Sequence, residues 1–248
     1  MRKIIIVALF LSGIVKSTGQ NFDLNVFSGI SVNHSQRSLY STNYLNDNFY
    51  SDHFYGLNSG YWFGVTGINL GVYSTTFANV MNFRGDPRFL LSKQHFYWKY
   101  QVLGINLGLK HKVLGTKKFL WQISYGVDIN LQLKSYLEPL FIQFDDSLIY
   151  NTNRFHLSLE MERMRPLYFM PGVFFNTSFN YEILKNLYFN LNLYYRMGLT
   201  QTMHTFFYYE IKNDVFSSDA GFISNKNDFI GLSFGFQYKF GCEKIKME

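Results

Sequence analysis

Residues 119–134 read FLWQISYGVDINLQLK, and apolar and polar side chains alternate along them. Every second residue from Phe119 to Leu133 is apolar, whereas the positions between them include Gln122 and Asp128. A period of two is that of a β-strand, because successive side chains point to opposite faces of the sheet. This stretch is longer than the roughly 9–11 residues that a tilted strand needs to cross a bilayer. It predicts a strand with one wholly apolar face and one polar face.

The same alternation recurs along the chain. This repeated pattern on both sides of residues 119–134 predicts an all-β protein, an antiparallel barrel of eight strands. The strands are predicted near residues 21–34, 55–66, 68–80, 96–113, 119–134, 167–182, 187–202 and 229–240. Ten strands would require one long connection to form an additional hairpin.

Composition supports this fold class. Aromatic residues make up 20% of the chain and charged residues only 16%, whereas a soluble domain carries about a quarter charged residues. Beyond the N-terminus no apolar run is long enough for a membrane-spanning helix, so a disordered chain, a coiled coil and a helical membrane protein are excluded. Cys242 is the single cysteine, so no intramolecular disulfide can form.

The N-terminal residues 1–19 read as a cleavable secretory signal. Arg2 and Lys3 precede an apolar run over residues 4–15, and the small residues 17–19 follow it. The apolar run is too short to span a bilayer as a helix. Removing the signal lowers the formal net charge from +6 to +3, since it contains three basic residues. Nucleic-acid binding therefore has little support.

Connections between the predicted strands alternate in length. Residues 114–118 and 183–186 are short turns, and the long connections cover residues 37–57, 81–94, 135–165 and 203–228. Short turns on one side and long loops on the other are typical of outer-membrane barrels, in which the short turns are periplasmic. The expected organisation is a signal peptide at 1–19, a barrel at 20–240 and a short periplasmic tail at 241–248.

With this alternation, the mature chain resembles the small single-domain outer-membrane β-barrel proteins of Gram-negative bacteria. The resemblance implies a location in the outer membrane, contact with lipid and lipopolysaccharide, and folding by the barrel-assembly machinery. Residues 234–240, FGFQYKF, look like the C-terminal strand signal that this machinery reads, with Phe236, Tyr238 and Phe240 as its aromatic positions. Family members often end on that aromatic residue, whereas eight residues follow it here.

One segment resembles an enzyme motif. His156 and Ser158 are similar to the His-x-Ser motif of lipid A deacylase barrels, in which an Asn follows the Ser and a downstream Glu orients the His. Leu159 stands in the Asn position, and Glu160 or Glu162 is the candidate orienting acid. Because a match of two residues is weak, ordinary polar residues of an extracellular loop are the favoured interpretation.

Metal and cofactor sites have less support. The six histidines are scattered singly, and Asp145 and Asp146 point to opposite sides of an extended chain. No phosphate loop or dinucleotide fingerprint is present, so no metal and no cofactor is expected.

The long connections contain two clusters that favour surface recognition of an extracellular protein or glycan. The first comprises Asn43, Tyr44, Asn46, Asn48, Phe49 and Tyr50, and the second Phe206, Phe207, Tyr208 and Tyr209. The alternative, which we favour, is that these aromatics extend the strands or form the girdle at the membrane surface.

Eight strands enclose too little space for an aqueous pore, so the predicted protein is a structural or binding barrel with a side-chain-filled lumen. The alternatives are a lipid A-modifying hydrolase and an accessory subunit of an envelope export or assembly complex. Inside the lumen, Asp128 and Arg196 each lie nine residues beyond the start of an upward strand. We therefore predict that they form an ion pair; the alternatives are that each charge faces interior water or pairs with a neighbour such as Lys110, Glu182 or Lys239.

Overall fold

The structure is a computed structural model in which residues 21–34, 36–38, 45–47, 49–83, 95–116, 118–136, 141–150, 153–163, 168–201, 203–212 and 217–240 are described. The predicted signal peptide, residues 1–19, and the predicted tail, residues 241–248, lie outside these ranges. Within them, no helix is long and apolar enough to cross a membrane.

The described residues form fourteen strands. Their bounds are β1 Phe22–His34, β2 Gln36–Ser38, β3 Leu45–Asp47, β4 Phe49–Phe63, β5 Thr66–Phe83, β6 His95–Gly115, β7 Phe119–Tyr136, β8 Phe141–Tyr150, β9 Asn153–Arg163, β10 Phe169–Leu184, β11 Leu187–Gly198, β12 Met203–Lys212, β13 Ser217–Asn225 and β14 Phe229–Phe240.

Eight of these strands close into an antiparallel barrel, as the alternation predicts. Their order around the wall is β5-β4-β1-β14-β11-β10-β7-β6, and pairing of β5 with β6 completes the ring. The first and last barrel strands pair directly from Phe22↔Phe240 to Asn33↔Phe229. Closure leaves the barrel without a free edge, so every strand finds a partner on both sides.

The turn between the second and third barrel strands differs from its predicted position near residues 67–69. β4 and β5 are joined by Gly64 and Val65, because Phe63 pairs with Thr66. Gly64 has a φ of +76°, a conformation that glycine adopts without a steric penalty at the first position of a two-residue hairpin turn.

Two of the long connections contain hairpins of their own. Strands β8 and β9 pair, as do β12 and β13, and with β2 they form a second, five-stranded sheet in the order β2-β13-β12-β9-β8. These hairpins do not enter the barrel, so the barrel keeps eight strands. Residues 155–162 alternate apolar and polar side chains, and this was the sequence signal for β9.

The barrel wall separates two kinds of side chain. Along β7, Val127 is 56% exposed on the outside, whereas its neighbour Asp128 is 1% exposed on the inside. Near the short turns the outer face carries aromatic rings: Trp121 stacks on Phe179 with ring centroids 5.9 Å apart, and its Nε1–H donates to Thr177 Oγ1 over 2.8 Å. Such rings mark the membrane–water boundary of transmembrane barrels.

Candidate functional site

The structure brings Asp128 and Arg196 together inside the lumen. Asp128 lies on β7 and Arg196 on β11, with β10 between them. Arg196 donates its Nε–H to Asp128 Oδ1, and neither residue is more than 1% exposed. A charge buried this deeply is tolerated only when it is paired and hydrogen-bonded.

Two tyrosines complete the hydrogen bonding of Asp128. The hydroxyls of Tyr73 and Tyr194 lie 2.9 Å and 3.1 Å from Oδ2 and donate to it. Arg196 in turn donates Nη1 to the Asn227 carbonyl over 2.9 Å and Nη2 to the Met170 carbonyl over 2.7 Å. The sequence signal for both hydroxyls is alternation: Tyr194 alternates with Asn192 and Arg196 on β11, and Tyr73 alternates with Asn69 and Gly71 on β5.

Aromatic rings pack around this network inside the barrel. Phe54 is 1% exposed, and its ring centroid lies 5.3 Å from Tyr73, 5.4 Å from Tyr194 and 5.3 Å from Phe229. Phe174 stacks on Tyr194 at 5.7 Å, with the two rings nearly parallel. We call this set, with Phe27, the aromatic layer.

Glycines on the wall make room for the rings. A Cβ added at Gly104 on β6 would lie 2.0 Å from Cζ of Tyr73. The absence of a side chain at Gly104 is therefore what lets Tyr73 reach Asp128.

The connection from β13 to β14 turns into the mouth of the barrel at the end that carries the long connections. Asn225 and Asn227 are both fully buried. Asn225 Nδ2 donates to the Ala78 carbonyl over 3.3 Å, and the side-chain oxygen of Asn227 accepts a hydrogen bond from the Tyr100 hydroxyl. Together with the Arg196 contact, these bonds tie the connection to β5, β6 and β11 and cover the aromatic layer.

Below the aromatic layer the lumen is lined by amides and hydroxyls. Asn190 Nδ2 donates to Asn25 Oδ1 over 2.6 Å, and Asn69 Nδ2 donates to Asn106 Oδ1 over 3.0 Å. A cavity beneath the layer offers a volume of about 20 Å³ to the centre of a water molecule, room for about one water. It is lined by Asn25, Asn58, Asn69, Lys110, Gln122, Ile123, Ser124, Asn176, Ser178, Asn192 and Gln237.

A second ion pair lies nearer the short turns, and the sequence did not predict it. Lys110 Nζ lies 2.9 Å from Asp23 Oδ1 and 3.0 Å from Oδ2. The indole Nε1–H of Trp62 donates to the same carboxylate over 2.5 Å. Lys110 therefore pairs with Asp23 and not with Asp128, for which it had been an alternative partner.

The weak enzyme motif lies on β9. His156 pairs across the backbone with Lys212 of β12 and Ser147 of β8, and Ser158 pairs with Glu210 and Asp145. The placement of the His156 and Ser158 side chains is outside what the structure describes.

The three aromatic positions of the predicted assembly signal lie on β14. Phe236 is 54% exposed and Tyr238 42% exposed on the lipid-facing side, and Phe240 pairs with Phe22 where the barrel closes. The second loop cluster, residues 206–209, lies within β12. Within the described ranges, no group of three His, Cys, Asp or Glu residues could hold a metal ion.

A closed eight-stranded antiparallel barrel with an apolar outer face and a polar inner face is the fold of small outer-membrane β-barrel proteins. In particular, the chain is similar in fold to the outer membrane protein OprG from Pseudomonas aeruginosa, with a TM-score of 0.52 and 16% identity over 90% of this chain and 98% of that chain. At this identity the likeness concerns the fold alone.

Two further likenesses are more distant. The outer membrane protease OmpT from Escherichia coli has a TM-score of 0.34 and 11% identity, covering 90% of this chain and 98% of that chain. A major outer membrane protein from Thermus thermophilus has a TM-score of 0.36 and 10% identity, covering 87% of this chain and 99% of that chain. These two scores support no argument. No protein-family model matches the sequence, and no curated protein matches it.

Proposed function

We propose that this protein is a structural or binding barrel of the bacterial outer membrane whose lumen conducts no ions. The observation that carries the proposal is the Asp128–Arg196 pair enclosed by the aromatic layer. The pair joins β7 to β11 across β10, and the aromatic rings pack beside it in the lumen. A gap beside Phe27, Phe54 and Tyr194 admits no water molecule.

Planar-bilayer recording tests the closed lumen. The purified protein is expected to show no stable conductance, and steady channels of porin size would contradict the proposal. A double variant, Phe54→Ala with Tyr194→Ala, removes two rings from the aromatic layer and is expected to admit ions.

The matched control is Tyr55→Ala with Tyr195→Ala. These residues are the sequence neighbours of the first pair, but they are 48% and 43% exposed on the outer wall. The control therefore removes similar ring area without opening the lumen, and it is expected to stay closed.

Location is tested by fractionation. Export through a signal at residues 1–19 and insertion as a barrel predict that the protein sediments with outer membranes and migrates heat-modifiably on gels. Recovery in the soluble periplasm would exclude this location. Mass determination of the purified protein would show whether the mature chain starts at Gln20.

The proposed partners follow from location and fold. They are outer-membrane lipid and lipopolysaccharide, the barrel-assembly machinery through Phe236, Tyr238 and Phe240, and an extracellular protein or glycan at the second sheet. A pull-down in gentle detergent tests for a protein partner or membership of an export complex. Lipid A mass spectra from cells with and without the gene test the hydrolase alternative with His156 and Ser158.

A further inference from the structure

Five residues that line the cavity beneath the aromatic layer each have a buried polar atom with no hydrogen-bond partner among the protein groups that the structure describes. They belong to five different barrel strands, so they approach the cavity from different parts of the wall. Four of the atoms are amide oxygens and the fifth is an amide nitrogen: Asn58 Oδ1 of β4, Asn176 Oδ1 of β10, Asn192 Oδ1 of β11, Gln237 Oε1 of β14 and Gln122 Nε2 of β7. The cavity lining thus has four unsatisfied acceptors and one unsatisfied donor.

The wall already uses the amide nitrogens of two of these residues. Asn192 Nδ2 donates to Asn190 Oδ1 over 3.2 Å and to Ser233 Oγ over 3.4 Å. Asn176 Nδ2 donates to Ser124 Oγ over 3.4 Å. These bonds hold the nitrogen end of each amide and leave its oxygen available to a ligand.

One water molecule cannot satisfy four oxygens. The cavity has room for about one water, and a water molecule has only two hydrogens to donate. Two oxygens would remain buried without a partner, which is destabilising. A single cation in the same place contacts several oxygens at once, and the side-chain carbonyls of Asn and Gln are ordinary ligands of hard cations.

The charge of the lining favours a cation with a single charge. Lys110 is the one charged residue that lines the cavity within the described part of the chain. Both oxygens of Asp23 bind its ammonium group, at 2.9 Å and 3.0 Å, so the pair is neutral and repels a nearby cation less than an unpaired lysine would. Sites for Ca²⁺ and Mg²⁺ use carboxylates, and the described lining contains none.

We propose that this cavity binds one alkali cation, Na⁺ or K⁺, through the four amide oxygens of Asn58, Asn176, Asn192 and Gln237. Asn192 and Gln237 are only 3% and 2% exposed, so bulk water does not compete with the ion for their oxygens. Gln122 presents a donor and is not a ligand. The ion stabilises the folded barrel, because it satisfies buried acceptors of four strands at once and cannot do so in the unfolded chain.

The test uses the full mature chain, isotopically labelled, in a nonionic maltoside detergent. The side-chain amide resonances of Asn192 and Gln237 are followed during titration with sodium chloride, with potassium chloride and with N-methylglucamine chloride at equal ionic strength. N-methylglucamine carries the same charge but is far too large for a cavity of this volume. We expect a saturable shift with an alkali cation and none with N-methylglucamine.

Asn192→Asp separates a cation site from a water site. The variant places a carboxylate where the amide was, with almost the same shape, and is expected to bind the cation at least about tenfold more tightly, because ligand charge raises cation affinity. Asn33→Asp is the matched control: Asn33 is also buried, at 2% exposure, but it pairs with Phe229 toward the other end of the barrel and does not line the cavity. Its cation affinity should equal that of the wild type. Gln237→Glu provides a second test if Asn192→Asp fails the heat-modifiability check for folding.

Each outcome decides for or against the site. Saturation by Na⁺, by K⁺ or by both supports it, and the two titrations show which ion binds more tightly. The site is overturned if the wild type shows no saturable shift over the salt range in which it stays folded, even if Asn192→Asp binds an ion, because the natural cavity then holds water only. An equal shift with N-methylglucamine, or an equal gain of affinity in Asn33→Asp, also overturns it, because the effect would then report ionic strength or added charge alone.

Discussion

Arg196 reaches across β10 to Asp128, so the ion pair connects two strands that are not neighbours in the barrel wall. Both side chains are buried, and the remaining oxygen of Asp128 accepts hydrogen bonds from two tyrosines. The pair thereby links β7 to β11, two strands that no backbone pairing joins.

Breaking the Asp128–Arg196 ion pair should lower the free energy of unfolding. Asp128→Asn or Arg196→Gln is expected to lower the free energy of unfolding by about 3–5 kcal/mol, because the surviving charge is left buried without its partner. The double variant should lose much less than the sum of the two single losses. Urea unfolding in lipid or detergent measures all three, and strictly additive losses would show that the residues do not interact. Asp52→Asn, an acid near the extracellular end of β4, is the control and should change little.

The hydroxyl of Tyr194 should contribute to the free energy of unfolding, whereas that of Tyr195 should not. Tyr194 is 3% exposed and donates to Asp128, whereas Tyr195 is 43% exposed on the lipid-facing side. Tyr194→Phe is expected to cost about 1.5–3 kcal/mol, the range for hydrogen bonds to charged groups. Tyr195→Phe is expected to cost almost nothing. Equal losses in urea unfolding would count against the described network.

Gly104 on β6 should be needed for stability, because it leaves room for the Tyr73 ring that it faces. In Gly104→Ala the new methyl group would overlap the Tyr73 ring, so the ring must leave Asp128 or the strand must shift. Overpacking of this kind costs about 1–3 kcal/mol. At Gly115 on the same strand an added Cβ would meet, among the described residues, only Leu120 Cδ1 at 3.6 Å, so Gly115→Ala should be tolerated. Thermal unfolding of the two alanine variants side by side makes the comparison.

The Asp23–Lys110 ion pair can be tested by removing first one partner and then both. Lys110→Met alone leaves Asp23 buried and without its ammonium partner, and it should cost about 3–5 kcal/mol. Adding Asp23→Leu removes the unpaired charge, so the double variant should recover much of that loss. Lys185→Met, at an exposed position on a periplasmic turn, should be neutral within about 0.5 kcal/mol. A double variant as unstable as Lys110→Met would contradict the pairing.

The C-terminal strand can be tested as an assembly signal. Tyr238→Ser and Phe240→Ser are expected to reduce the amount of heat-modifiable barrel in outer membranes. Ile230→Ser is the control, because Ile230 lies on the same strand and is also exposed on the lipid-facing side, 54% against 42% for Tyr238. Equal reductions in all three variants would mean that lost lipid contact, and not recognition, is responsible.

Local alternation was enough to predict the barrel. Side chains in a strand change faces at every residue. A buried lumen and a lipid exterior therefore require polar and apolar residues to alternate along each strand. The strand predicted at residues 119–134 is β7, Phe119–Tyr136, and the last predicted strand, 229–240, is β14 itself. The same argument placed Asp128 and Arg196 on the inner face and at similar distances from the periplasmic turns.

The contacts across the lumen required the closed structure. Asp23 and Lys110 are 87 residues apart on strands that do not pair, and whether two inward side chains meet depends on how the strands are staggered around the wall. The inward turn of Asn225 and Asn227 likewise has no local sequence signal, since it is stabilised by Tyr100, Met170 and Arg196 from other strands. A period of two specifies which face a residue occupies, but only closure of the barrel specifies which residues face each other.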